Sequence, residues 1–151
     1  MYVDSHQHFW KLSRGDYSWM TPDMKKLYKD FFPSDLEPLI KEKNISKTII
    51  VQAADTVAET EFTLKLAEDN EFVAGVVGWV DLENPNTKET IDKLCESKFL
   101  KGVRPMIHDI ENDEWMLQDN LNENINYLAT KNLTFDALVR PQHLKYLIKF
   151  V

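Results

Sequence analysis

A chain of 151 residues with 43% hydrophobic side chains falls in the range of one folded domain and is too apolar to stay disordered. Its formal charge is −7, from 18 Lys and Arg against 25 Asp and Glu, and no cluster of cations stands out; this excludes nucleic acid as a default partner but not a small anion held by one or two local cations. Cys95 is the single cysteine, which excludes an internal disulfide and fits a reducing compartment.

The N-terminus, Met1-Tyr2-Val3-Asp4-Ser5-His6, lacks the basic stretch and apolar segment of a signal peptide. No apolar run approaches the roughly 20 residues of a membrane helix, so a cytoplasmic protein without a membrane partner is expected. Tyr2–Ser5 reads as a first strand. A long insertion at 9–33 follows it, dense in aromatics: Trp10, Tyr17, Trp19, Tyr28, Phe31 and Phe32. Ser34-Asp35-Leu36-Glu37 predicts a capping box and a helix with Leu36, Leu39 and Ile40 inward and Pro38 in the first turn. Thr48–Gln52 is the second strand. Thr56-Val57-Ala58-Glu59 is a second capping box, with Ala58, Phe62 and Leu66 at helical spacing. Val73–Val80 is the third strand, and Asn84-Pro85 opens a helix faced by Ile91, Leu94 and Cys95. Gly102–Arg104 is the fourth strand, and Leu121, Ile125, Leu128 and Ala129 mark the fourth helix. Leu133–Val139 is the fifth strand. Pro141 opens a fifth helix with Leu144, Leu147, Ile148 and Val151 on one side.

The strand runs are rich in Val, Ile and Phe, and several are continuously apolar, as in a parallel sheet covered by helices. Strand–helix alternation implies right-handed crossovers and leaves two architectures: a doubly wound sheet and an eightfold barrel. A whole barrel takes roughly 250 residues, and about five βα units are present here.

His6-Gln7-His8 follows the first strand. In extended backbone, residues i and i+2 point to the same side, so both imidazoles can face one centre. Neutral imidazole ligates divalent transition metals, and Asp4 is placed to orient a ligating ring. The alternative is a pair of ordinary loop histidines. Their position at the C-terminal end of a parallel strand favours the functional reading.

The stretch Val3-Asp4-Ser5-His6-Gln7-His8-Phe9-Trp10 resembles the opening of the amidohydrolase-related (amidohydrolase 2) family of metal-dependent TIM-barrel hydrolases. Within it the sequence is most similar to the sugar-lactonase-like branch, which includes L-fuconolactone and L-rhamnonolactone hydrolases. The similarity continues in order through Val51-Gln52-Ala53-Ala54, Gly75-Val76-Val77-Gly78-Trp79-Val80-Asp81-Leu82, Gly102-Val103-Arg104-Pro105-Met106 and Phe135-Asp136-Ala137-Leu138-Val139-Arg140-Pro141. The resemblance implies an α/β fold of (β/α)8 type, incomplete here, with residues 1–151 as the N-terminal part of a single barrel domain. The family's later Asp-His-x-Gly-Lys-Pro segment and its catalytic Asp are absent, and His108 and His143 do not match their positions.

The resemblance further implies a hydrolase that opens a sugar-derived lactone or similar cyclic ester by attack of activated water. His6 and His8 are the expected catalytic pair and metal ligands, with zinc first among the divalent ions. Some relatives work without metal, and there the histidines would hydrogen-bond the substrate. Arg104 resembles the family's active-site arginine, its planar fork suited to a carboxylate or sugar oxygens; the other reading pairs it with an acid such as Asp109. Gln52 is either a ligand contact or a barrel-rim cap. Trp79 is a pocket wall or a core residue, and Trp10 and Trp19 offer a stacking surface or pack the insertion. Asp136 and Arg140 stand between structural and functional roles. His108 either reaches the active face from the loop after Arg104 or, the commoner case, is a solvated loop residue; His143 reads as surface, and Cys95 as inert core.

With half of the expected site missing, the chain reads as a truncated, inactive lactonase-type enzyme. A second reading is a non-catalytic barrel half that associates with a partner or with itself through open sheet edges. A third, an open sheet binding an anionic metabolite, ranks last because no Gly-rich phosphate loop is present.

Overall fold

The computed structural model describes residues 2–151. Five parallel strands form one sheet in sequential order: β1 (Tyr2–Gln7), β2 (Ile45–Val51), β3 (Val73–Gly78), β4 (Leu100–Val103) and β5 (Thr134–Phe135). Each is followed by a helix: α1 (Pro33–Glu42), α2 (Val57–Asp69), α3 (Thr87–Leu94), α4 (Asp119–Thr130) and α5 (Leu144–Phe150). A doubly wound sheet reverses strand order near its middle, whereas a (β/α) barrel adds each strand beside the last. The unreversed order therefore makes this an α/β fold of barrel type, with five of the eight strands of a complete ring.

The core lies between the sheet and its helices. Ile50, Val76 and Val103 of the strands meet Ile91, Leu121 and Leu128 of the helices, all with essentially no exposure. Each such side chain contributes about 1.5–3 kcal/mol over leaving it in water. Gly78 at the end of β3 allows α2 to come close. A Cβ there would lie inside van der Waals contact of Thr60 Cγ2 and 2.9 Å from its Oγ1. That hydroxyl accepts the Trp79 N–H at 2.7 Å and donates to Trp79 O at 2.9 Å, riveting helix to strand end.

Several local expectations are corrected. β1 runs two residues further, through His6 and Gln7, while β5 is only Thr134–Phe135. β5 has β4 as a neighbour on one side only, and the ladder stops after Val103↔Phe135. Helix α1 begins at Pro33 rather than after Ser34. Its cap is Asp35, whose carboxylate accepts the Phe32 N–H at 2.8 Å, and Pro38 falls inside the helix instead of in its first turn. In α2, Thr56 does cap, accepting the Glu59 N–H at 3.1 Å, but the Glu59 side chain does not reach back. The buried face of α2 is Glu59, Thr60, Thr63, Leu64 and Ala67, not the stripe through Ala58, which is exposed. Ala129, Leu144, Ile148 and Val151 are also exposed.

The insertion is ordered by a small core of its own. Trp10 and Phe31 exchange backbone hydrogen bonds of 3.1 and 3.0 Å across its base. Trp10, Tyr17, Met20, Ala53 and Ala54 are buried together beneath it. Gly15, at φ 76°, takes the left-handed conformation that ends the turn Leu12–Arg14 and starts the chain back toward α2. No helix among the described residues is long and apolar enough to cross a membrane.

Candidate active site

His6 and His8 meet where β1 ends. Their ring centroids are 4.9 Å apart at 79°, and the two Nε2 atoms are separated by 3.2 Å. The expected same-side projection is thus observed. His8 Nδ1–H donates to Val51 O at 2.8 Å, which leaves the lone pair of His8 on Nε2, facing His6. Burial lowers the His8 pKa from its ordinary 6.5; the Val51 carbonyl opposes this, and the charges of Arg104 and His6 add to it. His8 is therefore neutral at pH 7, the state required of a metal ligand or a base. Asp4 does not orient an imidazole. Its Oδ1 accepts the backbone N–H of His6 at 3.1 Å.

The donor set fits a divalent cation in part. Two nitrogens bound to one tetrahedral zinc at about 2.0–2.1 Å lie about 3.3 Å apart, close to the observed spacing. The same spacing also accommodates His6 Nε2–H donating to His8. Among the described residues no group of three or more His, Cys, Asp or Glu has metal-binding spacing, so the imidazole pair is not joined there by a third such donor.

Arg104 stands opposite, 9% exposed, at the end of β4. Its Nη2 donates to Gln52 O at 2.5 Å, and Gln52 Nε2 returns a bond to Arg104 O at 2.8 Å. Burial pulls the guanidinium pKa down, and the charges of Asp136 and Glu59 oppose that. The expected alternative partner, Asp109, instead lies 3.3 Å from Arg140 and 3.2 Å from His108. His8 and Arg104 line one cleft of about 290 Å³ with Trp10, Trp19, Met106 and His108. That volume is near the small end for ligand sites and suits a single small ring.

The sequence matches a known family over nearly its whole length. A family model described as Amidohydrolase matches residues 3–151. The chain belongs to the amidohydrolase family. Two curated relatives are both L-fucono-1,5-lactonases. The protein of Burkholderia ambifaria is 38% identical over 98% of this chain and 51% of its own length. That of Burkholderia multivorans is 34% identical over 94% and 48%. A crystal structure of an amidohydrolase from Burkholderia multivorans with bound zinc superposes with a TM-score of 0.92 at 31% identity, covering 99% of this chain and 53% of that one. This amidohydrolase chain thus spans about half the length of the curated relatives it matches.

The remaining sequence candidates of the amidohydrolase chain separate cleanly. Gln52 is wholly buried and engaged with Arg104, so it backs the site instead of facing a ligand. Trp79 lies outside the His8–Arg104 cleft and lines an adjoining one of about 300 Å³, which shares Trp19, Met106 and Asp109 with it. Trp10 and Trp19 chiefly pack the insertion, edge to face at 5.9 Å, while one side of each reaches the cleft. His108 is not a free loop residue; it forms part of the cleft wall. His143 is 1% exposed, and its Nδ1 accepts the Arg140 N–H at 2.9 Å, a capping role that its position at the start of a helix could have suggested. Asp136 accepts the Thr134 hydroxyl at 2.9 Å. Burial pushes the Cys95 thiol pKa up, in keeping with an unreactive side chain.

The sequence reading missed Glu59. It has no exposed surface, its Oε1 accepts the Ala53 N–H at 3.1 Å, and its Oε2 has no partner among the described residues. Burial pushes its pKa up to about 8 against the pull of the Ala53 N–H; Asp16 adds to the rise, while Arg14 and Arg104 oppose it.

Proposed function

We propose that this chain carries the β1–β5 portion of the active site of a lactone hydrolase acting on a sugar-derived 1,5-lactone or similar small cyclic ester. The supporting observation is the 3.2 Å approach of His6 Nε2 and His8 Nε2 beside a cleft lined by Arg104. The names of the two curated relatives point to the same substrate class. Residues 1–151 then form the N-terminal part of one barrel domain, with the insertion at 9–33 roofing the cleft.

In this reading His6 and His8 would hold a divalent ion, zinc first. Such an ion polarises an ester carbonyl and lowers the pKa of water. His8 enters neutral and correctly tautomerised because Val51 O takes its Nδ1–H. Hydrolysis adds water to the carbonyl carbon, breaks the ring C–O bond and leaves a hydroxy acid. Arg104 supplies positive charge on the cleft wall, where oxyanion and then carboxylate charge develops. Gln52 holds Arg104 in that direction. Trp19 gives an apolar wall to the ring, and Trp79 serves substituents that extend into the adjoining cleft. Among the described residues only two of the roughly three protein ligands of a catalytic zinc site come together, so the 151-residue chain alone is expected to turn over little or no lactone.

Zinc titration of the chain, followed by imidazole NMR, tests the site. One equivalent is expected to shift His6 and His8 together, and the shift is expected to vanish in His6→Ala plus His8→Ala. Zinc that perturbs only His108 or His143 would remove the assignment. In the longest polypeptide that contains this sequence, normal lactone turnover by the same double variant would do so as well.

A second reading, a non-catalytic half that associates, is favoured by the outer edge of β1. Tyr2 and Val3 lie there, 72% and 46% exposed. Sedimentation of the purified chain tests its self-associating form: a monomer at all concentrations ends that form.

A further inference from the structure

The inner face of α2 carries a carboxyl group where packing alone would call for an apolar side chain. Burying an acid is unfavourable unless it stays neutral or is fully hydrogen-bonded. Glu59 meets the requirement on one side only, through the Ala53 N–H at 3.1 Å.

That amide belongs to a strand end on which the site hangs. Val51 O accepts His8 Nδ1–H at 2.8 Å, Gln52 O accepts Arg104 Nη2–H at 2.5 Å, and Ala53 O accepts Trp19 Nε1–H at 2.7 Å. Three consecutive carbonyls thus set the tautomer of an imidazole, the direction of a guanidinium and the plane of an indole. A shift of Ala53 would pass into all three.

From the other side, the insertion presses charged groups toward Glu59. Asp16 Oδ2 accepts Arg14 Nη2 at 2.6 Å and the Thr56 hydroxyl at 2.9 Å. Asp16 Oδ1, Arg14 Nε, Tyr17 Oη and Glu59 Oε2 are all buried without a partner among the described residues. Native interiors leave few such atoms, and four in groups whose charges act on one another mark a place where proton location matters. The charged and titratable groups acting on Glu59 are Asp16 and Arg14 of the insertion and Arg104 at the end of β4, while Tyr17 responds to Glu59 in turn.

We propose that Glu59 is a positioning residue of the site: its Oε1 holds the Ala53 amide and so fixes the strand end that orients His8, Arg104 and Trp19, and loss of the Oε2 proton, which tightens that bond and removes a donor toward the insertion, shifts that strand end. The neutral acid can donate from Oε2 among the oxygens of Tyr17 and Asp16. The ionised form instead places a second buried carboxylate beside Asp16 and draws Arg14 or Arg104 toward itself. The direction of the Glu59 pKa supports this, since the neutral form prevails at pH 7.

The test is a pH titration of the 151-residue chain between about pH 6.5 and 9.5, observing the Trp19 indole N–H, the Ala53 amide and the carbon-13 signal of the Glu59 carboxyl. All three are expected to move with one midpoint near 8. In Glu59→Gln, whose amide accepts the same N–H without titrating, the Trp19 and Ala53 signals are expected to stay at the low-pH positions. Trp19 and Ala53 signals that ignore pH in the wild type, or that move unchanged in Glu59→Gln, overturn the proposal. Should Glu59→Gln fail to fold, the wild-type carboxyl signal decides: titration in the ordinary carboxylate range overturns the proposal, and titration together with Trp19 upholds it. The measurement reads geometry rather than turnover, so a chain that hydrolyses no lactone still decides it.

Discussion

Replacing Glu59 by Gln is expected to flatten the stability of the chain between neutral and alkaline pH. The unfolded carboxyl loses its proton near 4.5, and the folded one keeps it to about 8. Between these values the native state binds more protons than the unfolded state, so stability falls as pH rises. The contribution is complete below about pH 4.5 and gone above about pH 8. Each pH unit in the window is worth about 1.4 kcal/mol, so the whole span is worth up to about 5 kcal/mol. That is a large part of the 5–15 kcal/mol typical of a domain. Raising the pH from 6.5 to 8.5 crosses about 1.5 units of this window and should cost the wild type about 2 kcal/mol. His8 does not confuse the measurement. Its pKa is lowered, so its contribution is lost on acidification, as pH falls below the ordinary histidine value. Urea unfolding at pH 6.5, 7.5 and 8.5, followed by tryptophan fluorescence, reads the effect. The midpoint should fall steadily for the wild type and stay level for Glu59→Gln. Parallel decline of both proteins, or a level wild type, would refute the reasoning.

Two further substitutions examine the frame around the site. Gly78→Ala should cost about 1–3 kcal/mol through overpacking against Thr60, and adding Thr60→Ser, which removes Cγ2 but keeps the hydroxyl on Trp79, should recover part of it in urea unfolding. Arg104→Lys should cost about 1–3 kcal/mol, because an ammonium cannot reproduce the guanidinium's bond to Gln52 O from the same buried position; a loss under about 0.5 kcal/mol would show that the contact contributes little.

How much of this was legible before the structure depended on whether a residue's role is local. Strand and helix alternation showed in the Val- and Ile-rich runs, since each strand is buried by its neighbours whatever they are. His6 and His8 were legible because alternate residues of an extended chain share a side in any fold. The direction of α2 was not. Its buried face carries Glu59, Thr60 and Thr63, and polar residues are assigned outward by any rule based on hydrophobic periodicity. Glu59 was further hidden by standing three residues after Thr56, where a capping box explains an acid without burying it. The structure satisfies the Thr56 half of that motif and sends the carboxyl elsewhere. His143 was placed at the surface because it begins a helix of the outer layer, and it turns out to cap the backbone from inside.

The features that organise the site are the least visible in a sequence. Every residue has a carbonyl, and nothing in the letters Val51-Gln52-Ala53 says that three carbonyls in a row will receive His8, Arg104 and Trp19. Those three donors come from the end of β1, the end of β4 and the insertion, and only the closing of the sheet brings them to one strand end. A side chain that holds such a segment needs to touch neither ligand nor reacting atoms. It needs only to bond the one amide whose displacement would move all three donors, and Glu59 bonds the Ala53 amide. Changing Glu59 should therefore disturb the site more than changing another buried residue of the same α2 face, such as Leu64, whose side chain has no hydrogen bond to give the segment that follows β2.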